Sequence, residues 1–303
     1  MNIYWPIYQN IENEIVKLTY SIHMSDDNLR VYSSIISDLI LRCAAEIESI
    51  AKELYKANGG EKKSNIKYDY DALKFLDQHW TISKKEVYIS NHNVFFSNKV
   101  ILPFAKDTQA TGKNYDTFLW NNAYQNLKHD RGNSLIEGNV KALFSICSAL
   151  YVLNLYYKNI EINIGRDYDK PIDLSMGSTL FSVGLYKSVT SNLDGSPFIS
   201  IDHINNVLIQ LPDLETYRES VLFLFKRGKD ERNRIREMLL DEFEGFDILA
   251  DEIIYPDVDL SYLGKRIDEI SQLVWTESLR ENYQKQMKLN NKVTYSINLN
   301  KRK

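Results

Sequence analysis

The sequence predicts a mainly α protein, with an up-and-down helical bundle in its N-terminal half and a smaller α+β region after it. Before residue 160, long runs repeat apolar residues at three- and four-residue steps, the period of one face of a helix. Glycines and capping residues punctuate those runs at their ends. After Lys158 the runs shorten, and EINIG, TLFSVGLYK and SPFISI read as strands with Asp194-Gly195 as a turn signal. The predicted units are therefore residues 1–159, a bundle carrying a hairpin insertion near 86–104, and residues 160–303.

In order along the chain, Val16 to Met24 alternate apolar with polar residues, a pattern for a half-buried strand or an irregular lead-in. Ser25 and Asp26 are the expected cap of a long helix, in which Leu29, Tyr32, Ile36, Leu39, Cys43, Ile47, Ile50 and Leu54 share a face. Gly59 and Gly60 end it. Tyr68 to Trp80 reads as a short helix. EVYI and NKVILPF flank Asn91-His92-Asn93 as the inserted hairpin, and Tyr88, Phe95 and Phe96 offer a surface for a protein partner there. Asp116 or Thr117 is the expected cap of a helix reaching Arg131. Ser134 and Glu137 have capping-box spacing before an apolar helix that reaches Lys158. Three further helices are expected over 214–225, 230–249 and 260–288, and the tail from Lys292 reads as polar and basic, loose at its end.

Composition narrows the function. The chain has 303 residues, 37 Lys plus Arg against 41 Asp plus Glu, and a formal net charge of −4, which argues against a protein that coats nucleic acid nonspecifically. Cys43 and Cys147 sit in helical apolar runs and read as core thiols, with no disulfide framework. The N-terminus lacks a signal-peptide pattern. The most apolar segment, 143–157, is interrupted by Ser145, Ser148 and Asn154 and falls short of a membrane span. A cytoplasmic protein with no membrane association is expected. No phosphate-binding glycine loop and no GxSxG elbow occurs, and His23, His79, His92 and His203 are scattered. No cofactor and no metal are expected.

The most distinctive stretch is Trp120-Asn121-Asn122-Ala123-Tyr124-Gln125-Asn126-Leu127-Lys128-His129-Asp130-Arg131, followed by the apolar helix. It resembles helical proteins of the HEPN class, in which a Lys-His-x-Arg-like segment precedes a long core helix. The resemblance implies a four- to five-helix bundle that forms homodimers. It also implies action on RNA, in many members as a metal-independent ribonuclease of toxin–antitoxin or phage-defence systems. The class signature places an Arg shortly before the His, where this chain has Asn122, Ala123 and Tyr124, and Arg131 follows His129 instead.

On that resemblance His129 is the expected acid/base, Lys128 and Arg131 the phosphate clamps, and Asn126 the orienting group. Metal-free RNA cleavage needs such an acid/base and cations for the developing phosphorane charge. The same residues also read as last-turn capping electrostatics, with Arg131 pairing with Glu46 or Glu48. A catalytically inactive HEPN-like module that binds RNA, a nucleotide or a protein partner is the alternative. A second basic run, 226–236, holds Lys226, Arg227, Lys229 and Arg232 as nucleic-acid contacts, interleaved with Asp230, Glu231 and Glu237. Glu244, Asp247 and Asp251 form an acidic counterpart on one helical face, expected to be solvated or paired with the basic run.

Overall fold

A computed structural model describes residues 3–106, 118–158, 162–164, 172–187, 204–212, 214–250, 256–289 and 293–300. The chain is mainly helical, 59% helix and 10% strand. The first helix, α1 (Tyr4–Leu18), buries Tyr4, Tyr8, Ile11, Ile15 and Leu18 along one face. The alternation expected over Val16–Met24 therefore yields to helix packing, and only Met24–Ser25 forms a strand, β1.

The long helix α2 (Ser34–Ala57) starts later than Ser25, because Ser33 is its cap and the Ser33 hydroxyl accepts from the Ile36 amide at 3.2 Å. Asp26–Asn28 form a single 3₁₀ turn instead. Leu29 and Val31 stay outside the helix for a clear reason. Their carbonyls accept from Lys141 and Val140, two of the first amides of helix α5 (Val140–Lys158). Those amides have no intrahelical partner. Gly59, at φ +90°, ends α2 as expected.

Tyr68–Leu73 is a π-helical turn running directly into α3 (Lys74–Trp80). The predicted hairpin is present: β2 (Val87–Ile89) pairs antiparallel with β4 (Val100–Ile101), while β3 (Val94–Phe95) between them pairs parallel with β1. Of its aromatics only Phe95 is exposed, stacked on His23; Phe96 is buried and Tyr88 is half-buried with its hydroxyl on Glu86. Helix α4 (Leu119–His129) follows Phe118, and the expected caps Asp116 and Thr117 lie outside the described residues. Ser134 makes no capping bond and heads the 3₁₀ turn Leu135–Glu137, so α5 is capped by Asn139, whose Oδ1 accepts from the Ala142 amide at 3.0 Å.

Helix α5 is apolar all round and lies at the centre, against α1, α2 and α4. Val140–Tyr157 is long and apolar enough to cross a membrane, but 89% of that stretch is buried inside the protein. Cys43 on α2 and Cys147 on α5 are both free and buried, and burial pushes the Cys147 thiol well up, with Cys43 beside it.

The core does not stop at residue 160. Strand β6 (Phe181–Val183) joins β2 and β4 in one sheet, and Leu180, Phe181, Val183, Val207, Leu208 and Ile297 belong to the bundle's core cluster. A second sheet, ordered β5-β9-β8-β7, is built from Ile162–Ile164, Val293–Ile297, Leu208–Pro212 and Leu185–Lys187. The tail from Lys292, expected as polar and basic, supplies the central strand, Val293, Tyr295 and Ile297 alternating with Thr294 and Ser296, and its end at 301–303 lies outside the described residues. SPFISI and Asp194-Gly195 lie outside the described residues. The helices expected over 214–225 and 230–249 are one continuous helix, α6 (Leu214–Glu242), which packs on α7 (Leu260–Leu289) around Leu239, Phe243, Phe246, Leu263, Ile270 and Val274.

Two buried charges fasten these parts. Glu12, 2% exposed, accepts through Oε1 from the Tyr8 hydroxyl at 2.7 Å, the Ser178 hydroxyl, and the Thr179 and Leu180 amides at 3.1 Å each. Lys85 is fully buried; its Nζ donates to the Asn206 carbonyl at 2.8 Å and to Asn300 Oδ1 at 3.2 Å. Asn300 in turn donates to the Trp80 carbonyl at 2.6 Å. Burial alone brings the Lys85 amine down from 10.5 to about 7.

Candidate functional site

Helix α4 turns Trp120, Ala123, Tyr124 and Leu127 into the core at helical spacing. Trp120 anchors the face by donating its indole N–H to the Pro103 carbonyl at 2.8 Å. The neighbouring stripe, Asn121, Asn122 and Gln125, borders a cavity of about 580 Å³. Glu48 and Lys52 of α2 form its second wall, and Ile66 to Tyr70, which include the start of the π-helical turn, form its third. That size falls in the range of small-molecule sites. The π-helical turn is pinned by Asp71, which accepts from the Lys67 amide at 2.7 Å and pairs with Lys62. These two bonds hold the Asp71 carboxyl below its usual range, Lys62 contributing most.

The cavity floor is a hydroxyl between two amides. The Tyr68 hydroxyl donates to Asn121 Oδ1 and accepts from Gln125 Nε2 at 3.0 Å. Burial, followed by the charge of Asp69, raises the Tyr68 phenol far above its ordinary value, so it keeps its proton. Beside it, Lys128 Nζ donates to the Tyr124 hydroxyl at 3.0 Å and lies 5.1 Å from that ring. The Tyr124 hydroxyl donates to Glu48 Oε1 at 2.8 Å, and Glu48 pairs with Lys52 at 3.6 Å. Tyr70, which also lines the cavity, is 64% exposed, with Lys67 Nζ over its ring at 5.8 Å.

The expected catalytic group does not assemble around His129. The imidazole is exposed at the end of α4, and among the described residues no hydrogen bond, ion pair or ring contact holds it. Lys128 is turned onto Tyr124, and Arg131 pairs with Asp38 on α2 at 2.7 Å, not with Glu46 or Glu48. Asn126 is half-buried, its carbonyl accepting the amide of Asp130, while Gln125 is the residue that reaches the cavity. The site thus uses the first half of the Trp120–Arg131 segment, whereas the cations that suggested catalysis occupy the second. The walls from α2 and 66–70 are far away in sequence, and only the run of amides Asn121, Asn122, Gln125 signalled it.

The basic run of α6 stands on a different element. Lys226, Lys229 and Arg232 are exposed, whereas Arg227 is half-buried and paired with Glu231 at 3.1 Å. Arg234 reaches Glu277 on α7 at 2.7 Å, and Arg236 holds Asp247 by two bonds, one of them 2.8 Å. Arg236 keeps the Asp247 carboxyl below its usual range. Much of the run's charge is therefore neutralised by the acidic residues that surround it, as the interleaved pattern suggested. Asp251 lies outside the described residues.

Chemically, the cavity offers amide donors and acceptors, tyrosine rings, two lysines and two carboxylates. It is suited to holding a neutral, planar, polar group, and among the described residues that line it no nucleophile is paired with a base. No protein-family model, curated protein or solved structure matches this chain.

Proposed function

We propose that the protein is a HEPN-like module that binds single-stranded RNA without cleaving it. An unpaired base enters the cavity between α2, α4 and the π-helical turn, and the flanking phosphates lie against Lys52 and Lys67. The observation that supports this reading is the cavity's composition: Asn121, Gln125 and Tyr68 at its floor, and exposed Tyr70 with the two lysines at its rim. Proteins read single strands by stacking bases on aromatic side chains and hydrogen-bonding their free edges. A net charge of −4 fits a local site of this kind better than coverage of long nucleic acid.

Fluorescence anisotropy with a labelled single-stranded oligoribonucleotide tests it. The expected result is binding that weakens with salt. Lys52→Ala with Lys67→Ala should reduce the slope of log affinity on log salt by about 0.7 for each phosphate no longer neutralised. Failure to bind RNA at low salt, or binding indifferent to the double substitution and to Gln125→Leu, would refute the proposal. His129 lies one turn beyond Gln125 and is open to solvent, so the bound RNA is also run on a denaturing gel in EDTA. Intact RNA is expected. Cleavage that disappears in His129→Ala would establish a metal-independent ribonuclease instead.

A further inference from the structure

The arrangement on the cavity floor has a property that neither amide has alone. A primary amide can turn over, exchanging its donor end for its acceptor end, and one hydroxyl proton joins these two. With the Tyr68 proton on Asn121 Oδ1 and Gln125 donating to the Tyr68 oxygen, the groups left for the cavity are the Asn121 N–H donors and the Gln125 carbonyl. The reverse network is equally complete: Asn121 donates to the hydroxyl, and the hydroxyl donates to Gln125. The cavity then sees a carbonyl from Asn121 and N–H donors from Gln125. Because there is only one proton between them, two amides that both presented donors to the cavity would leave one amide oxygen without a partner, and two that both presented acceptors would leave the phenol proton unpaired, on a floor where Asn121 is 2% and Tyr68 7% exposed.

We infer that Tyr68 is a positioning residue that couples Asn121 and Gln125 into a single reversible donor–acceptor pair, so that the cavity takes the free Watson–Crick edge of any unpaired base. Adenine and cytosine present there a ring acceptor beside an amino donor. Guanine and uracil present a carbonyl acceptor beside a ring N–H. The two orders are mirror images, and one concerted turn of both amides converts the wall from one to the other. The site is therefore indifferent to base identity and intolerant of a blocked edge, which also excludes paired RNA. This rests on the RNA-binding reading above.

The test uses the full chain and four oligoribonucleotides of uniform length, each carrying a single base, one of the four, between abasic nucleotides, so that no flanking base can enter the cavity in its place. Two more carry 3-methyluridine, which loses the ring N–H on that edge, or 5-methyluridine, which bears its methyl elsewhere. The wild type is expected to bind the four bases within about threefold and 5-methyluridine like uridine. It should bind 3-methyluridine about tenfold or more weakly, since a good two-bond edge pairing is worth roughly a factor of ten or above. In Tyr68→Phe the amides turn independently, and the penalty for 3-methyluridine is expected to shrink to about threefold or less, a ratio that a merely structural loss would leave unchanged. Wild-type indifference to the 3-methyl group overturns the inference, as does an undiminished penalty in Tyr68→Phe or a strong preference for one base. Absence of binding to every oligonucleotide sinks the RNA-binding reading itself, and is told apart by that. Gln125→Leu serves as a second variant: it leaves the phenol in place and should abolish the same discrimination.

Discussion

Lys85 gives a prediction that can be worked through in numbers. Its amine is fully buried, among the described residues no carboxylate is hydrogen-bonded or ion-paired with it, and Glu86 next to it is occupied with Tyr88 and Asn205. It meets two acceptors, the Asn206 carbonyl and Asn300 Oδ1. A neutral amine has two N–H donors for these, whereas an ammonium has a third with nothing to bond. Burial lowers the folded-state value from 10.5 to about 7. A shift of about 3.5 units corresponds to about 5 kcal/mol between the protonation states. The unfolded chain holds the proton up to 10.5 while the folded chain releases it near 7, so stability rises as pH climbs through that interval, by at most about 1.4 kcal/mol per unit.

Lys85→Met keeps the volume and removes the titration. At pH 9 it leaves two buried acceptors unserved, a loss of about 2–4 kcal/mol, but it also escapes the roughly 2 kcal/mol that releasing the proton 1.5 units below 10.5 still costs the wild type, so it should be less stable by at most about 2 kcal/mol. By pH 6 the wild type bears the full cost of the buried charge, so its stability relative to the variant should fall by about 2.5 kcal/mol from pH 9 and the order should reverse. Urea unfolding of both proteins at pH 6, 7.5 and 9, followed by tryptophan fluorescence, measures this. Tyrosine and cysteine titrations are common to both chains and cancel in the difference. Parallel stability curves across that range would refute the argument.

Two further substitutions separate buried from exposed charge. Glu12→Ala removes the acceptor shared by the Thr179 and Leu180 amides and two hydroxyls, leaving the Thr179 amide without it and the others only their bonds to one another, and should cost about 2–3 kcal/mol in chemical denaturation; a loss below about 1 kcal/mol would show that the network relaxes. Arg131→Ala breaks a pair whose side chains are 44% and 63% exposed, so the expected loss is under about 1 kcal/mol, a melting shift of at most a few degrees. A larger shift would return Arg131 to the role of locking the bundle.

The bundle was legible wherever one residue's period and its neighbours' agreed. Helix α5, apolar on every face, and the β2–β4 pair were readable because their patterns admit one solution. Helix α2 was readable at its glycine end and misread at its start, since Leu29 and Tyr32 continue its apolar stripe although the Leu29 and Val31 carbonyls are taken by α5. Tyr4, Tyr8, Ile11 and Ile15 carried the signal for α1, yet the alternation from Val16 masked it. Of the cavity only the amide run Asn121, Asn122 and Gln125 was legible, not its other walls. The cavity requires Glu48, Tyr68 and Gln125 to meet, and nothing in any one of those segments declares the others. The cations of the Lys-His-Asp-Arg segment stand out because charge is conspicuous, but the structure ties Lys128 and Arg131 to local partners.

The place of β9 in its sheet sets an order of events. It lies between β5 and β8, and the whole α6–α7 hairpin separates it from β8 in the chain. Until β9 has been synthesised and threaded back, β5 and β8 each present an unpaired edge, and the Asn206 carbonyl awaits Asn298. Closing so distant a pairing is entropically slow. Refolding should therefore pass through a stage with a formed bundle and an open sheet. That stage is where a neighbouring chain's strand would compete for the vacant edge and where self-association would begin.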